Sequence, residues 1–385
     1  MNKVLLIITI LMLVIINKAI PKTEWELCDK FFSGGTVNAL LAKDGIIMAG
    51  TYGGFFVSSN NGNNWTKKNF NQITLNVQDI VVLNNGILVG DDMYGVLYSS
   101  DNGDKWTQMN SGLNYPSILS IINSNDTVIA GTKGFGPYLS VDACNNWTSK
   151  TSGLKYGEIR TLKKIENLIY SGTDFGGLYF TTNWGNTWVL KNKGLNKVNI
   201  NTIQEYGKAI FVGADDGLFI LNENDTLWNK VNIGQAPVKV NKIVKYKNTL
   251  IVATDGYGIY ISDDGINWSV QNNGLVDLFV KSITISDDTV FAGTHGNGIF
   301  RIKLNEITSI GNTLNSLDKI DISPNPVSDY LAINTNQEFG KIEIFSPLCL
   351  KVLESDWKEK IDVSGLLPGV YFVKVGMSVA KFVKV

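Results

Sequence analysis

Short apolar runs separated by polar turns recur along most of the chain at a nearly constant spacing. Runs such as GFFV (54–57), GVLY (95–98), GLYF (177–180) and GIY (258–260) are rich in aromatic and β-branched residues. This composition indicates β-strands, and a polar turn that contains glycine or small polar residues follows each run. The pattern therefore predicts a protein built mainly of β-strands, in which one structural unit is repeated.

The turn that follows the third strand of each unit has a recognisable sequence. It reads SSNNGNNW at 58–65, SSDNGDKW at 99–106, SVDACNNW at 140–147 and TTNWGNTW at 181–188, with weaker copies LNENDTLW at 221–228 and ISDDGINW at 261–268. The closing tryptophans follow one another at steps of 41, 41, 41, 40 and 40 residues. A fixed period near 40 residues is typical of repeat architectures. We expect the Asp or Asn to bind backbone N–H groups ahead of it and the Gly to adopt a left-handed conformation.

This turn resembles the Asp-box, S-x-D-x-G-x-x-W, of sialidases, sortilin-type receptors, xyloglucanase-type hydrolases and photosystem II assembly factors. The resemblance implies a β-propeller in which each box joins the third and fourth strands of a blade and has a structural role. The box residues that it assigns are Asn60, Gly62, Trp65, Asp101, Gly103, Trp106, Asp142, Trp147, Asn183, Gly185, Trp188, Trp228, Asp263, Gly265 and Trp268.

The two ends of the repeat region indicate how the propeller closes. The last unit, residues 280–304, has no box, whereas Trp25 lies 40 residues before Trp65. The segment at Trp25 is therefore in register to be the missing fourth strand of the last unit, and such closure removes an exposed sheet edge. We predict an all-β protein, with a seven-bladed β-propeller over residues 21–307 closed by the N-terminal strand. An open or six-bladed form is the alternative.

Segments at both ends of the chain indicate that the protein is exported. Residues 1–19 are interpreted as a signal peptide, because a short basic start precedes an apolar run at 4–16 that is too short to span a bilayer comfortably. Residues 308–318 are a polar linker, and residues 319–385 are a second domain whose strands lack the 40-residue period. We expect the mature protein to have no membrane span and to be monomeric.

The second domain carries motifs of its own, PNP at 324–326, IDVSGLLPGVYFVKV at 361–375 and KFVKV at 381–385. They resemble the C-terminal sorting domain of the type IX secretion system of Bacteroidetes. The resemblance implies a small β-sandwich at residues 319–385 that the outer-membrane secretion machinery recognises. It also implies a protein that crosses the periplasm and is secreted or displayed on the outer cell surface.

The composition excludes several classes of function. Lys and Arg number 34 against 35 Asp and Glu, which argues against a nucleic-acid partner bound by phosphate neutralisation. The three cysteines are odd in number and widely spaced, so we expect no disulfide between Cys28 and Cys144. With one histidine and no C-x-x-C motif, we expect no metal site and no cofactor.

In the propellers that the chain resembles, ligands bind on the face formed by the loops between second and third strands. Mapping those loops here gives the candidate ligand-binding residues Tyr52, Asp92, Tyr94, Phe135, Asp174, Phe175, Asp215, Asp255, Tyr257 and His295, with Tyr115 and Tyr156 on the loops between units. We interpret them as a shallow aromatic and acidic bowl suited to sugar stacking or peptide docking. The alternative is that the rings pack between blades and the aspartates only form turns.

Some of the same residues are also candidates for catalysis. Sialidases of this fold hold the substrate carboxylate with three arginines, and the chain has only Arg160 and Arg301. A xyloglucanase-like glycoside hydrolase needs two carboxylates, for which the candidates are Asp92, Asp174, Asp215, Asp255, Glu158 and Asp277. The sequence favours a non-catalytic binding module for a glycan or protein ligand, with no residue assigned as catalytic. A glycoside hydrolase acting on polysaccharide is the alternative.

Overall fold

The computed structural model of the chain describes residues 24–29, 32, 34–68, 70–71, 73–155, 157–195, 198–234, 237–304, 321–334, 341–346, 350–375 and 378–385. The signal peptide predicted at 1–19, the linker predicted at 308–318, Tyr156 and Cys349 lie outside the described residues. The chain divides into two units, residues 1–307 and 308–385. Within the described residues, no helix is long and apolar enough to cross a membrane.

The first unit consists of four-stranded antiparallel sheets that follow one another along the chain. The first strands of the sheets are β2 (Val37–Lys43), β6 (Val77–Leu83), β10 (Ile118–Ser124), β14 (Ile159–Ile165), β18 (Ile200–Tyr206), β22 (Val240–Tyr246) and β26 (Val280–Ser286). The second strands are β3 (Ile46–Thr51), β7 (Gly86–Asp91), β11 (Thr127–Thr132), β15 (Leu168–Thr173), β19 (Ala209–Ala214), β23 (Thr249–Thr254) and β27 (Thr289–Thr294).

The remaining strands complete these sheets, which we number 1 to 7 in the order of their first strands. The third strands are β4 (Gly54–Ser58), β8 (Gly95–Ser99), β12 (Pro137–Ser140), β16 (Gly177–Thr181), β20 (Gly217–Leu221), β24 (Ile259–Ser262) and β28 (Ile299–Lys303). The fourth strands are β5 (Thr66–Lys68), β9 (Thr107–Gln108), β13 (Thr148–Ser149), β17 (Val189–Leu190), β21 (Asn229–Val231), β25 (Ser269–Val270) and, in sheet 7, β1 (Glu26–Leu27).

The N-terminal strand joins the two ends of this unit. Strand β1 pairs antiparallel with β28, so that Glu26 lies opposite Arg301 and Leu27 opposite Phe300. The backbone N–H of Trp25 donates to the carbonyl of Asn273 at 2.8 Å. The first strands also contact one another in cyclic order, from β2 through β6 to β26 and from β26 back to β2. The sheets are therefore arranged around a common axis.

Apolar side chains between neighbouring sheets form the core. One cluster joins Leu88 and Val96 of sheet 2 to Ile121 and Trp147 of sheet 3. Another includes Trp25 and residues of sheets 6 and 7. The second strands are almost completely buried because each has a neighbouring sheet on both faces. This explains why they consist of consecutive apolar residues rather than an alternating pattern.

The box turns have the hydrogen bonds that their residue types predict. In the second copy, Ser99 Oγ accepts from the Gly103 N–H at 2.8 Å and donates to Asp101 Oδ1 at 2.8 Å. Asp101 Oδ1 in turn accepts from the Lys105 N–H at 2.8 Å. The same bonds form in the turns that begin at Ser58, Ser140 and Thr181. In the third copy, Cys144 replaces the glycine with a positive φ of 70°, and it is free and buried, as is Cys28.

The sixth copy corrects one assignment. We predicted Asp263 as the box aspartate, but Asp264 accepts the turn's N–H groups from Ile266 and Asn267, both at 2.8 Å. This turn is one residue shorter between Ser262 and Trp268 than the other copies, which moves the carboxylate by one position. Asp263 instead accepts a hydrogen bond from the Thr249 hydroxyl.

The tryptophans of the boxes differ in the partner of the indole N–H, which for Trp268 is the carbonyl of Gly265 in its own turn, at 3.3 Å. The indole N–H groups of Trp147, Trp188 and Trp228 donate to carbonyl oxygens near the fourth strand of the preceding sheet, at 2.8–2.9 Å. Trp25 does the same with the carbonyl of Gln271 at 2.8 Å, and therefore has the role of a box tryptophan without a box. The buried indole nitrogens of Trp65 and Trp106 have no hydrogen-bond partner in the described part of the chain.

The second unit contains two sheets. Its strands are β29 (Asp321–Ser323), β30 (Tyr330–Asn334), β31 (Lys341–Phe345), β32 (Lys351–Asp356), β33 (Lys360–Asp362), β34 (Gly369–Val375) and β35 (Ser378–Lys384). The orders are β29-β30-β33 and β32-β31-β34-β35. One apolar cluster joins both sheets, with Leu331 and Ile361 from the first and Ile344, Val373 and Phe382 from the second.

Candidate functional site

Every first strand of unit one has a β-bulge near its beginning, because the register with the second strand shifts between its first and third residues. Bulges of this kind redirect side chains and are frequent beside functional sites. The residues at the bulged second position are Asn38, Gln78, Leu119, Arg160, Asn201, Asn241 and Lys281. Six of these seven side chains are polar or charged.

These seven residues surround one cavity of about 460 Å³, which we call the central cavity. Residues from the first strands of all seven sheets line it, so it lies on the axis around which the sheets are arranged. Some bulge residues also connect neighbouring sheets. The amides of Asn38, Asn201 and Asn241 donate to the carbonyls of the first residues of the next first strands, at 2.8–3.1 Å.

Ion pairs surround the central cavity. Arg160 Nε lies 2.6 Å from Asp174 Oδ1, and Arg160 Nη1 donates to Asn201 Oδ1 at 3.3 Å. Three further pairs join loop aspartates to lysines of a neighbouring sheet or loop: Lys133 with Asp92 at 3.5 Å, Lys239 with Asp215 at 3.4 Å and Lys281 with Asp255 at 2.7 Å. The four loop aspartates that the sequence predicts as an acidic bowl are therefore charge-compensated. The bowl therefore lacks the four uncompensated negative charges that we expected.

These contacts keep two of the carboxylates ionised. Burial alone raises the pKa of Asp215, but hydrogen bonds from Asn201 and Asn199 and the charge of Lys239 outweigh it and hold the pKa below its usual value. Burial likewise raises the pKa of Asp255, but the hydrogen bond from Lys281 and its positive charge have the larger effect. The pKa of Asp255 is therefore below its usual value. A general acid of a glycosidase needs the opposite shift.

Two other carboxyl groups near the cavity have a raised pKa, and both are occupied by the backbone. Burial raises the pKa of Asp79 against the opposing charge of Lys242, and its oxygens accept from the Ile121 and Ile80 N–H groups at 2.8 and 2.9 Å. Burial also raises the pKa of Asp91, which accepts three backbone N–H groups within 2.8 Å. These groups connect loops and sheets.

Exposed rings lie on the loops around the central cavity. Tyr52, Phe175 and Phe135 are 71%, 62% and 55% exposed, and Tyr257 is 40% exposed. The Phe135 ring stacks at a tilt against Tyr115, with centroids 4.5 Å apart. We call Tyr52, Phe135, Phe175 and Tyr257 the aromatic rim. Their exposure shows that these four predicted rings do not pack fully between sheets.

Three other candidate residues have structural contacts. Tyr94 is half-buried in an apolar cluster, and its ring centroid lies 6.2 Å from that of Phe70. Asp277, a candidate carboxylate, is buried and accepts the N–H groups of Phe279, Gly296 and Asn297 at 3.0–3.3 Å. His295 is exposed, with its Nδ1 3.2 Å from Thr36 Oγ1. Tyr94 and Asp277 therefore agree with the alternative to ligand binding, because Tyr94 packs in an apolar cluster and Asp277 holds backbone N–H groups of the loops.

Sequence reasoning missed the bulge residues and the basic members of the ion pairs. The seven bulge positions share no residue type, so only their common distance from the box tryptophans could have identified them. A second missed feature is the threonine at the end of a second strand, which donates to a carbonyl at the start of the third strand. Thr51, Thr132, Thr173, Thr254 and Thr294 do so at 2.7–2.9 Å. These bonds hold the loops that carry the aromatic rim.

Residues 321–384 match the family described as the secretion system C-terminal sorting domain. The chain therefore ends in a type IX sorting domain, as its motifs predict, and it is an exported protein of the cell surface or of the secreted fraction. A comparison with curated protein sequences finds no match.

Solved structures share the fold of the chain. YCF48 from Cyanidioschyzon merolae has a TM-score of 0.56 and 14% identity, covering 74% of this chain and 99% of that chain. A structure of YCF48 bound to D1 peptide has a TM-score of 0.56 and 13% identity, covering 70% of this chain and 94% of that chain. PorZ, a surface component of the type IX secretion system of Porphyromonas gingivalis, has a TM-score of 0.59 and 16% identity, covering 92% and 60%.

The GH74 xyloglucanase from Xanthomonas campestris has a TM-score of 0.59 and 13% identity, covering 81% of this chain and 59% of that chain. The chain thus spans about 60% of the length of PorZ and of the xyloglucanase. At these identities the similarity shows the fold alone, and unit one is a β-propeller of the kind that the Asp-box repeats predict. Among the described residues, no group of three His, Cys, Asp or Glu side chains could hold a metal ion.

Proposed function

We propose that the chain is a secreted or cell-surface binding protein without catalytic activity, which takes a glycan or protein ligand at the central cavity and the aromatic rim. The proposal includes a seven-bladed propeller at residues 21–307 closed by the N-terminal strand, and a β-sandwich at residues 319–385 that engages the type IX machinery. Its support is the pairing of β1 with β28 and the single apolar cluster that joins both C-terminal sheets.

The observation that carries the binding function is the ring of bulged residues around one cavity. Bulges in all seven first strands place mostly polar side chains on the axis, and exposed rings surround them. Rings supply contact area at low entropic cost, and amides and charged groups supply directional hydrogen bonds. In the proposal, Tyr52, Phe135, Phe175, Tyr257 and His295 contact the ligand. The paired Asp92, Asp174, Asp215 and Asp255 fix the loops.

The absence of catalysis is proposed from the state of the carboxylates. Five of the six hydrolase candidates, Asp92, Asp174, Asp215, Asp255 and Glu158, are in ion pairs at 2.6–3.8 Å, and Asp277 is bound to three N–H groups. The similarity to a xyloglucanase concerns the fold and leaves the hydrolase as the competing function. The similarities to PorZ and to YCF48, which binds a peptide, agree with a protein ligand as well as the similarity to the xyloglucanase agrees with a glycan.

One experiment separates these functions. The full chain is incubated with a panel of polysaccharides and surface proteins, and both retained ligand and released sugar products are measured. We expect retention without products. A double Tyr52→Ala and Phe175→Ala variant is expected to bind at least about 10-fold more weakly, because each removed ring lies on the rim.

The matched control is Ile266→Ala, since Ile266 is 74% exposed but lies in a box turn, away from the loops that carry the rim. This variant is expected to bind as the parent protein does. Release of sugar products that is abolished by Asp174→Asn or Asp255→Asn would contradict the proposal and establish the hydrolase.

A further inference from the structure

We propose that Phe279 and the ion pair of Asp255 with Lys281 form a subsite for one neutral sugar ring beside the central cavity. The sugar stacks on the Phe279 ring, and its hydroxyl groups bond to the ion pair. This inference rests on the proposed function, because the subsite belongs to the same binding surface, and it selects a glycan rather than a protein as the ligand. Phe279 is not a member of the aromatic rim.

Phe279 is an exposed ring on a fixed backbone. It lies between sheets 6 and 7, and its side chain is 51% exposed. The carbonyl of Phe279 accepts from the His295 N–H at 2.9 Å. The carbonyl of Leu278 accepts from the N–H groups of Gly256 and Gly258 at 3.0 and 2.9 Å. One edge of the ring covers Gly256, where a Cβ would lie 3.5 Å from Phe279 Cε1 and Cζ. A ring that is already held in place loses little entropy when a ligand covers it.

Polar groups lie on the same face as this ring. Asp255 and Phe279 form an antiparallel β-bridge. Side chains directly opposite in such a pair project to one face, with Cβ atoms about 4.5–5.5 Å apart. Asp255 Oδ1 lies 2.7 Å from Nζ of Lys281, and Lys281 lines the central cavity. The ring, the carboxylate and the ammonium group are thus neighbours, and they continue the binding surface from the loops into the cavity.

The chemistry of these three groups fits a neutral sugar. Burial raises the pKa of Asp255, but the hydrogen bond and charge of Lys281 outweigh it, so the carboxylate is ionised at neutral pH. The carboxylate accepts hydrogen bonds from hydroxyl groups and the ammonium group donates them. Together they carry no net charge that would attract a charged ligand group. The negative face of the aromatic ring attracts C–H groups. A pyranose has a face of C–H groups and an edge of hydroxyl groups, so it engages all three.

The equivalent position between sheets 3 and 4 lacks the ring. There an antiparallel bridge joins Lys133 to Glu158, so that two charged residues replace the pair of Asp255 and Phe279. The backbone contact is similar, since the Gly136 N–H donates to the carbonyl of the residue before Glu158 at 2.7 Å. The same backbone contact therefore carries different chemistry at two positions, and the sugar subsite makes the binding surface asymmetric.

The test uses the full chain, with cellohexaose, mannohexaose and maltohexaose as neutral probes and hexagalacturonate as the charged probe. Calorimetry measures affinity. NMR of the sugar C–H protons reports stacking, because an aromatic ring shifts the resonances of protons above its face upfield. We expect at least one neutral probe to bind at least about 10-fold more tightly than hexagalacturonate, with upfield shifts of its C–H resonances.

Three variants and one matched control locate the sugar. Phe279→Leu keeps an apolar side chain without the ring, and it should weaken binding at least about 10-fold and abolish the upfield shifts. Phe279→Tyr keeps the ring and should retain both. Asp255→Ala removes the hydroxyl acceptor and should weaken binding while the upfield shifts remain. The control is Val276→Ala, since Val276 is on the same loop and 75% exposed, and it should bind as the parent protein does.

Two results would overturn the subsite: no neutral probe binds, or Phe279→Leu binds as tightly as the parent protein. Tighter binding of hexagalacturonate than of every neutral probe would also contradict it.

The outcomes separate this inference from the proposed function. If a surface protein is retained and no neutral probe binds, the binding function holds and the sugar subsite falls. If a neutral probe binds through Phe279, but the double variant of Tyr52 and Phe175 binds it as the parent does, the subsite holds and the role of the rim falls. If the chain retains neither a probe nor a member of the panel, both fall.

Discussion

The two ends of the propeller sheets differ in how their residues are connected. At the box end, the same hydrogen bonds form in copy after copy, and they join residues four positions apart, as between Ser99 and Gly103. At the end that carries the central cavity, contacts join different sheets, as from Asn38 to the carbonyl of Val77. The residue types at the bulge positions of that end also change from sheet to sheet.

This difference separates stability from recognition. Repeated residues form turns that are nearly self-contained, and sheets 1 to 4 each carry such a copy. The cavity receives one residue from each bulge, so seven different side chains can produce an asymmetric surface. We therefore expect substitutions at the tryptophan positions to act on folding and those at the aromatic rim to act on binding. Three stability measurements test this division.

The largest expected effect is at the closure. Trp25→Ala removes a side chain that is 3% exposed and a hydrogen bond to Gln271, and it should lower the free energy of unfolding by about 3–5 kcal/mol. Leu27→Ala is the control in the same strand, because Leu27 is 39% exposed and should cost less than about 1 kcal/mol. Urea denaturation of both variants measures this, and equal losses would show that β1 does not close the ring through Trp25.

A smaller effect distinguishes two tyrosines of neighbouring loops. Tyr94→Ala removes a ring from an apolar cluster and should cost about 2 kcal/mol. Tyr52→Ala removes an exposed ring and should change the stability by no more than about 0.5 kcal/mol. Thermal and urea unfolding give both values. A Tyr52 loss as large as that of Tyr94 would assign the rim to packing rather than to binding.

The smallest effect depends on pH. Hydrogen bonds from the Asn267 and Ile266 N–H groups outweigh burial and hold the pKa of Asp264 at about 2, below its usual value of 3.8. Because the folded pKa is depressed, the ionised group contributes stability above pH 4, and this contribution is lost as pH falls from about 4 to about 2. Asn occupies the same position in two other boxes, so Asp264→Asn keeps the geometry.

The measurement compares how the free energy of unfolding of Asp264→Asn and of the parent protein changes at acidic pH. The variant should lose less stability between pH 4 and pH 2 than the parent. Asp263→Asn serves as the comparison, because Asp263 lies outside the bonds of the turn. If the Asp263 variant, and not the Asp264 variant, flattens the pH dependence, our correction of the box assignment is wrong.

The period of the sequence was sufficient to predict the β-propeller, because each box and tryptophan reports only on its local turn and on the adjacent sheet. The sorting domain was identified in the same way, from motifs within one domain. The central cavity could not be predicted. Its ion pairs join residues on different loops, as in Lys133 with Asp92, and a bulge changes the direction of a side chain without requiring a residue type.

The shortened sixth turn shows a further limit of sequence reasoning. Counting back from Trp268 by the standard spacing selects Asp263, yet the hydrogen bonds select Asp264. A deletion of one residue inside the turn is invisible when the neighbouring position is also an aspartate. Tyr94 shows the same problem on the loops, since its side chain turns toward Phe70 whereas Tyr52 in the corresponding loop of sheet 1 is exposed.

Hydrogen exchange of the full chain, with and without the glycan or protein retained from the binding panel, shows which end of the sheets contacts the ligand. Recognition at the cavity end predicts slower exchange in the loops at residues 51–53, 133–135 and 174–176, and unchanged exchange in the box turns at 58–65 and 99–106. Protection of the box turns with no change in those loops would contradict it.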